Sequence, residues 1–236
     1  FYLKHSTTDE MFKDKAVLDI GCGAGGKTVY YASLGVKRIT GLEILEKYRE
    51  EAENLAKENN LADKFAFVRG DAADMPFDDE TFDTIIMNDA MEHVAEPEKV
   101  IEECYRVLKK GGRLYLNFPP YNHPYGAHLS DAIGIPWVHV FFSEKTLIKA
   151  YKELVKDLPD GQERIKFRIS RKEDGTEYFS YINKMSIKRA NKILQKSSFE
   201  LEYYKEEPLR SFFRYPARLP FLKEFLVKMV VCVLKK

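Results

Sequence analysis

Residues 17–28, with the sequence VLDIGCGAGGKT, decide the fold of this chain. The apolar run that ends at Ile20 predicts a buried strand, and the glycines after it predict a tight turn. A helix pattern follows from about Lys27. A strand that ends in glycines before a helix lets a ligand approach the backbone and meet the amides at the helix N-terminus. The stretch therefore predicts a ligand site at the end of a strand.

Taken alone, the glycine loop is compatible with three kinds of site. Gly21–Thr28 matches G-x-x-x-x-G-K-T, the phosphate loop in which amides and a lysine hold nucleotide phosphates. Gly21–Gly26 also matches G-x-G-x-x-G, and Glu43 follows about twenty residues later, as in dinucleotide-binding folds. In the third interpretation the acid two residues before the first glycine, Asp19, belongs to the site.

The rest of the chain alternates strand and helix patterns over its first two-thirds, which predicts an α/β fold with a parallel sheet. The predicted strands are Ala16–Ile20, Arg38–Leu42, Phe65–Arg69, Thr84–Met87, Arg113–Phe118, Phe199–Lys205 and Lys228–Leu234. The predicted helices cover residues 27–34, 45–59, 97–109, 143–155 and 186–196. Between them, Glu163–Arg171 and Glu177–Ile182 predict a hairpin around a Glu-Asp-Gly turn.

Four further blocks carry a family resemblance. They are Glu43 at the end of the second strand, GDAADMPF at 70–77, FDTIIMNDAMEHV at 82–94 and LKKGGRL at 108–114. In their order and spacing over roughly residues 14–118, the chain resembles class I S-adenosylmethionine-dependent methyltransferases of the type 11 (UbiE-like) group. The resemblance implies a Rossmann-like, mostly parallel sheet of seven strands with helices on both faces, and a cap inserted after strand five. It also implies S-adenosyl-L-methionine as cofactor and S-adenosyl-L-homocysteine as product.

Acids at three successive strand ends distinguish this interpretation from the two nucleotide sites. Asp19, Glu43 and Asp71 follow the first, second and third predicted strands. A phosphate loop has no need of them, and a negatively charged rim repels a triphosphate. The same acids suit a neutral nucleoside with hydroxyls and an exocyclic amine. The sequence therefore favours a methyltransferase, with a phosphate-loop nucleotide hydrolase as the alternative outside the class.

The resemblance also implies a cofactor-binding set in the loops after the first four strands. Its members are Asp19, Gly21, Cys22, Gly23, Gly25, Glu43, Ile44, Asp71, Ala72, Asn88 and Met91. In this arrangement Asp19 orients the methionine portion, Glu43 accepts hydrogen bonds from the ribose hydroxyls, and Asp71 accepts from the adenine amine. The Ala72 amide donates to a ring nitrogen, and the Asn88 backbone carbonyl accepts from the methionine ammonium.

Methyl transfer from a sulfonium is an in-line displacement that needs alignment and, for some acceptors, removal of a proton. A base is expected in the loop after strand four or in the cap, where histidines titrate near neutrality. The candidate catalytic residues are His93, Tyr121, His123 and His128. The cap histidines match no strong metal-ligand spacing, and no metal is expected. Catalysis by proximity without a protein base remains an alternative.

The organisation predicted from these patterns is a single domain over residues 1–236. Residues 14–118 form its cofactor-binding half, 119–185 its substrate cap, and 186–236 the helix and strands that complete the sheet. The chain begins at Phe1 without a methionine, and we expect a preceding segment to be missing. The most apolar stretch, Phe225–Leu234, is too short to span a bilayer.

Composition limits the partners. The net charge is +1, but residues 161–236 hold 18 Lys and Arg against 9 Asp and Glu. Neither a concentrated basic patch nor an appended module for nucleic acid is visible. The basic C-terminal part, with Arg210, Arg214 and Arg218, suits an anionic acceptor or a solvated surface. Three cysteines without metal spacing indicate a reducing, cytoplasmic location.

The sequence thus predicts methylation of an oxygen or nitrogen atom of a small-molecule acceptor, with no nucleic-acid partner, no membrane span and no assigned oligomeric state. Methylation of a protein or RNA is the alternative within the class. A module that binds the cofactor without catalysis is a third interpretation.

Overall fold

The computed structural model describes residues 1–236, with nine strands and nine α-helices. The strands are β1 Ala16–Ile20, β2 Arg38–Glu43, β3 Phe65–Arg69, β4 Phe82–Asn88, β5 Leu108–Phe118, β6 Ile169–Arg171, β7 Glu177–Phe179, β8 Glu200–Pro208 and β9 Val227–Lys235. The helices are α1 Thr8–Phe12, α2 Gly26–Ala32, α3 Arg49–Glu58, α4 Pro97–Val107, α5 Val138–Phe141, α6 Glu144–Val155, α7 Gly161–Arg168, α8 Ile187–Lys196 and α9 Pro220–Leu226. Single 3₁₀ turns cover Tyr2–Lys4, Glu46–Tyr48, Ser211–Phe213 and Pro216–Arg218.

Seven strands form one sheet in the order β3-β2-β1-β4-β5-β9-β8. The pairs β1–β2, β2–β3, β1–β4 and β4–β5 are parallel. The amide of Gly111, early in β5, donates to the carbonyl of Lys236, just after β9, at 2.9 Å. The end of β9 therefore lies beside the start of β5, and these two strands run in opposite directions. The mostly parallel seven-stranded sheet is confirmed, and the chain order reverses between β1 and β4, where open α/β sheets bind ligands.

The chain divides into two compact units. Unit 1 comprises residues 1–118, 191–205 and 231–236, and unit 2 comprises residues 119–190 and 206–230. Unit 1 holds β1–β5 and parts of β8 and β9. All five residues of β1 are buried, which explains why its sequence is a continuous apolar run broken only by Asp19. Helix α4 starts with Pro97 and buries Val100, Ile101 and Cys104 on one face.

Unit 2 has its own apolar core. Its buried members are Ala127, Leu129, Ile133, Val138, Leu147, Ile148, Tyr151, Val155, Phe179, Tyr181 and Ile182. Helix α6 starts as the sequence predicts, because the Ser143 hydroxyl accepts a hydrogen bond from the Thr146 amide at 3.3 Å. None of the nine helices combines the length and the apolarity needed to cross a bilayer.

The predicted hairpin over residues 163–182 is wrong in its first half. Residues 161–168 form helix α7, and only Ile169–Arg171 pairs with Glu177–Phe179. Arg164 donates to the Asp160 carboxylate at 2.8 Å, an i,i+4 pair that stabilises the first helical turn. Apolar residues alternate with polar ones here as in a strand, yet the segment is helical, with Arg164 and Asp160 one turn apart.

Several element boundaries also differ from the sequence prediction, most of all the start of β5. Helix α4 ends at Val107 rather than at residue 109, and β5 begins at Leu108 rather than at Arg113. The sequence also gave no indication of α1, whose first turn is closed by a capping box. Thr7 Oγ1 accepts from the Glu10 amide at 3.2 Å, and Glu10 Oε2 accepts from the Thr7 amide at 2.7 Å.

Candidate functional site

The glycine loop after β1 folds back onto the end of β2. The Gly21 amide donates to the Leu42 carbonyl at 2.8 Å, and the Gly25 amide donates to the Cys22 carbonyl at 3.0 Å. Gly25 caps α2 with φ +82°, and a Cβ there would lie 2.9 Å from the Ala52 Cβ in α3. Only glycine accommodates both the left-handed backbone and this close approach of loop and helix. The loop is therefore held at a fixed height above the strand ends.

Gly23 has the opposite surroundings. Its φ is +51°, and a Cβ built on it would meet no atom within 4 Å. The backbone at Gly23 thus faces open space rather than neighbouring protein. This is the arrangement needed where a ligand approaches a main chain without a side chain in between.

Glu43 joins the loop to the end of β2. Its Oε2 accepts a hydrogen bond from the Gly23 amide at 3.0 Å, and its Oε1 accepts from the Leu45 amide at 3.0 Å. A carboxylate oxygen has room for more than one hydrogen bond, so both oxygens retain acceptor capacity for a ligand. Beside it, Ile44 is 59% exposed, which leaves an aliphatic surface next to the acid.

Asp19 lies beneath the loop. It is buried, and its Oδ2 accepts a hydrogen bond from the hydroxyl of Thr28 at 2.6 Å. Burial raises the pKa of Asp19 to about 6, against the opposing effects of the Thr28 hydrogen bond and the nearby Lys27 charge. The carboxylate is therefore ionised at neutral pH and becomes protonated in mildly acidic solution.

Asp71 and Ala72 lie in the loop after β3. Asp71 Oδ1 accepts from the Ala73 amide at 2.9 Å, which closes a tight Asx turn. The Asp71 side chain is exposed, whereas Ala72 is buried. Asp19, Glu43 and Asp71 thus stand at the carboxyl ends of β1, β2 and β3, as the sequence predicts, and these three strands are neighbours in the sheet.

A polar network that the sequence did not predict surrounds Asn88 at the end of β4. Asn88 Oδ1 accepts from the Tyr2 hydroxyl at 2.7 Å, and Asn88 Nδ2 donates to the Tyr31 hydroxyl at 2.9 Å. Asn117, at the end of β5, donates to the Tyr2 hydroxyl at 2.8 Å and also to Asn88 Oδ1. The Asn88 side chain is thereby fixed by three neighbours. The predicted role of its backbone carbonyl stays a prediction.

This network lies in the wall of a cavity of about 260 Å³ in unit 1. Its lining residues come from the segment before β1, from α2 and from the ends of β4 and β5: Phe1, Tyr2, Leu3, Thr8, Met11, Phe12, Lys27, Tyr30, Tyr31, Leu34, Ile86, Asn88, Asp89 and Asn117. Aromatic side chains dominate the apolar part of the wall, and Phe12 stacks on Tyr31 with ring centroids 5.0 Å apart. The cavity therefore suits an apolar or flat group with a polar end.

Charged groups follow β4. Lys27 Nζ lies 3.1 Å from Asp89 Oδ2, and Asp89 has φ +52°. Glu92 is buried, and burial raises its pKa to about 8, with the Asp89 charge adding to the effect. At neutral pH Glu92 is thus mostly a neutral acid. His93 is exposed, with Nε2 3.8 Å from Glu92 Oε1, and Met91 is fully buried.

The other predicted catalytic residues, Tyr121, His123 and His128, belong to unit 2. Burial raises the pKa of Tyr121 to about 12, so the phenol stays protonated at neutral pH. His123 Nδ1 accepts from the Tyr125 amide at 2.8 Å, and burial lowers the pKa of the ring. The neutral ring then carries its proton on Nε2, so neither nitrogen has a free lone pair. His128 is half-buried, with φ +50°.

Comparison with known proteins gives matches for the part of the chain that contains the glycine loop, Glu43 and Asp71. Residues 18–116 match the family model of the methyltransferase domain. Norajmaline N-methyltransferase of Rauvolfia serpentina and chloroplastic tocopherol O-methyltransferase of Arabidopsis thaliana are each 35% identical to this chain over 108 residues. The matched residues are 46% of this chain but 37% and 31% of those proteins, so the chain spans about a third of the length of these relatives.

A solved structure extends the likeness beyond residue 116. The S-adenosylmethionine-dependent methyltransferase of Methanosarcina mazei matches with a TM-score of 0.60, covering 97% of this chain and 95% of that one. The two sequences are 24% identical, so this likeness concerns the fold.

Proposed function

We propose that this chain, whose residues 18–116 match the model of the methyltransferase domain, transfers a methyl group from S-adenosylmethionine to an oxygen or nitrogen atom of a small molecule. S-adenosylmethionine, the cofactor of class I methyltransferases, supplies an electrophilic methyl group on a sulfonium sulfur. The work of the chain is then to hold this cofactor, to align an acceptor and to exclude water.

The observation that carries the proposal is the position of Glu43. Its carboxylate is fixed by the Gly23 and Leu45 amides at the edge of a loop whose backbone is open at Gly23. A fixed carboxylate with spare acceptor capacity fits a pair of ribose hydroxyls, and the exposed Ile44 beside it fits one face of an adenine. Asp71 supplies an acceptor for an exocyclic amine. The residues present therefore fit a neutral nucleoside.

The same geometry disfavours a phosphate loop. In such a loop a lysine is directed to phosphates and a hydroxyl to magnesium. Here Lys27 pairs with Asp89, and the Thr28 hydroxyl is buried and donates to Asp19. An ionised Asp19 beneath the loop also opposes a polyphosphate. Residues 21–28 therefore have the spacing of a phosphate loop, but their side chains are not arranged as in one.

The cavity beside Asn88 supports a small-molecule acceptor. Its volume of about 260 Å³ and its aromatic wall suit one compact group rather than a segment of a macromolecule. The two curated relatives carry names of methyltransferases for small molecules. We assign the acceptor to this cavity and the cofactor to the rim formed by the glycine loop, Glu43 and Asp71.

For an acceptor that must lose a proton, His93 is the candidate base of unit 1. It is exposed on the loop after β4, and the neighbouring Glu92 is mostly uncharged at neutral pH. Tyr121 holds its proton too firmly for this role, and the His123 lone pair is occupied by the Tyr125 amide. An acceptor that is already deprotonated needs only the alignment that the cavity supplies.

Calorimetric titration tests the proposal. S-adenosylhomocysteine and, separately, ATP with magnesium are titrated into the wild type, Glu43→Ala, Lys27→Ala and Glu50→Ala. Glu50 is an exposed acid on α3 and serves as the matched control. We expect S-adenosylhomocysteine to bind the wild type and Glu50→Ala alike and to bind Glu43→Ala at least tenfold more weakly. Binding of ATP alone, lost in Lys27→Ala, contradicts the proposal and restores the phosphate-loop interpretation.

A further inference from the structure

Residues 209–226 form an ordered excursion between β8 and β9, within unit 2. The Leu209 amide donates to the Leu226 carbonyl at 2.8 Å and closes its base. Inside, the excursion consists of two 3₁₀ turns and α9. Local hydrogen bonds hold these turns, among them the Phe213 amide to the Arg210 carbonyl at 3.0 Å and the Arg218 amide to the Tyr215 carbonyl at 3.1 Å. The excursion is thus held by hydrogen bonds within its own backbone.

The side chains of the excursion point largely into solvent. Phe212 is 68% exposed, Tyr215 73% and Phe221 70%, and Leu219 is also exposed. Between residues 210 and 221 only Ala217 is buried. Large apolar side chains that an ordered segment leaves in water mark an interaction surface rather than a core. This concentration within ten residues therefore calls for a partner that takes up aromatic rings.

Arginines alternate with these rings. Arg210, Arg214 and Arg218 are exposed, and no acid occurs between Glu207 and Glu224. The Arg218 guanidinium lies 5.7 Å over the Tyr215 ring. The acids at the base of the excursion have other partners. Glu206 pairs with Lys223 at 2.9 Å, and Glu224 accepts from the amides of Ile187 and Lys188. The exposed part of the excursion therefore carries arginines and large apolar side chains but no acid.

We propose that the 209–226 excursion docks the protein onto an anionic lipid bilayer. Phe212, Tyr215 and Phe221 enter the boundary between headgroups and acyl chains, where aromatic rings are favoured. The three arginines bind lipid phosphates and are attracted by the negative surface. Long arginine side chains reach the headgroups while the neighbouring rings lie deeper, so the alternation of the two types suits this boundary.

Two other partners explain less of the segment. Single-stranded RNA accounts for arginines and stacking rings, but not for the exposed Leu219 or for the prolines at 216 and 220. A second copy that binds through the same patch in a two-fold dimer brings like charges together, because each arginine group faces its own equivalent. A negatively charged bilayer can take up the aromatic rings below its headgroups and bind the arginines through its phosphates. The proposal does not depend on the proposed methyl transfer.

Vesicle flotation tests the proposal with the full chain. The protein is mixed with vesicles of phosphatidylcholine alone or of phosphatidylcholine and phosphatidylglycerol. We expect binding to the anionic vesicles, weaker binding at high salt, and little binding to the neutral ones. The triple variants Phe212→Ser/Tyr215→Ser/Phe221→Ser and Arg210→Gln/Arg214→Gln/Arg218→Gln are each expected to bind at least tenfold more weakly.

Matched controls separate docking from general effects of charge and exposure. Lys145→Gln/Lys149→Gln/Lys166→Gln removes the same charge from exposed positions elsewhere in unit 2, and Phe141→Ser removes an exposed ring. Both are expected to bind like the wild type. Equal loss in controls and test variants overturns the proposal. So does protein that stays off the anionic vesicles, or that binds a single-stranded RNA or dimerises through Phe212 instead.

A fluorescent reporter measures insertion directly. Tyr215→Trp places an indole at the most exposed ring of the excursion. We expect a blue shift of its emission with anionic vesicles and quenching by brominated lipids. Unchanged emission in the presence of bound vesicles contradicts insertion of this segment. Titration of the same variants with S-adenosylhomocysteine shows separately whether the cofactor site is intact, so failure of docking and failure of the proposed function are distinguishable.

Discussion

The Glu43 carboxylate and the Gly23 backbone amide lie 3.0 Å apart and form a hydrogen bond. This contact joins the end of β2 to the glycine loop after β1, and the two residues are 20 positions apart in the sequence. It fixes the acid before any ligand arrives, and a preorganised acceptor avoids the entropy of ordering a free side chain. Four predictions concern this loop and the residues around it.

Gly23→Ala separates backbone strain from ligand clearance. A Cβ at Gly23 meets no protein atom, but the left-handed φ of +51° costs about 1–2 kcal/mol for an L residue. Gly35→Ala is the control, because Gly35 has φ +80° and equally open surroundings. We expect similar losses in the free energy of unfolding from both. Only Gly23→Ala should weaken binding of S-adenosylhomocysteine. Equal affinities would place the cofactor elsewhere.

Asp19 imposes a pH dependence on stability. Its folded pKa of about 6 lies above its ordinary value of 3.8, so the folded state binds more protons between these values. Its contribution to stability is therefore complete below about pH 4 and is lost as the pH rises through 6, by about 3 kcal/mol at most. Asp19→Asn should gain stability over the wild type in that window. Urea unfolding of both proteins from pH 4 to 8 measures the difference, and a constant difference contradicts the raised pKa.

Tyr2→Phe removes the hydroxyl that bridges Asn88 and Asn117. Loss of this buried hydrogen-bonding group should lower the free energy of unfolding by about 1 kcal/mol. Tyr115→Phe is the control, because its buried hydroxyl bonds only to Ser6 Oγ, at 3.2 Å. Thermal unfolding should show comparable losses of stability in Tyr2→Phe and Tyr115→Phe. Cofactor or acceptor affinity should change in Tyr2→Phe alone, and a change in neither argues against a role for the Asn88 network in binding.

His93→Gln tests the proposed base. If His93 removes a proton during transfer, kcat should fall at least tenfold, within the range of general-base contributions, while the Kd for S-adenosylhomocysteine stays unchanged. His128→Gln serves for comparison, because His128 is another histidine that the sequence predicts as a candidate catalytic residue. Full activity of His93→Gln assigns the reaction to proximity or to another group.

The sequence predicted the sheet well because each parallel strand of unit 1 carries its own signal. β1 is an apolar run broken only by Asp19, and acids or glycines stand at or just after the ends of β1, β2 and β3. Prediction failed at α7, where Ile165, Phe167 and Ile169 alternate with polar residues as a strand would. The spacing of apolar residues alone did not distinguish helix from strand here, and in the helix that forms Arg164 donates to Asp160 one turn away.

The site was predictable only where residues follow a strand end in a recognisable block. Asp19, Glu43 and Asp71 were found in this way. Tyr2 was missed, because it reaches Asn88 through tertiary folding over 86 positions and has no periodic pattern around it. Asn117 offered one usable signal, a polar residue at the carboxyl end of an otherwise apolar parallel strand.

The close approach of Gly25 to Ala52 couples two distant positions in evolution and in engineering. A Cβ at 25 would lie 2.9 Å from the Ala52 Cβ, and at Gly41 it would lie 2.6 Å from the Cys22 sulfur. Among homologues, side-chain volume at 22 and 41 should therefore trade off, with growth at one position matched by reduction at the other, whereas 25 should stay glycine because of its left-handed φ of +82°. A mutant library aimed at new cofactor analogues should randomise 22 with 41 and hold 25 and 52 fixed together.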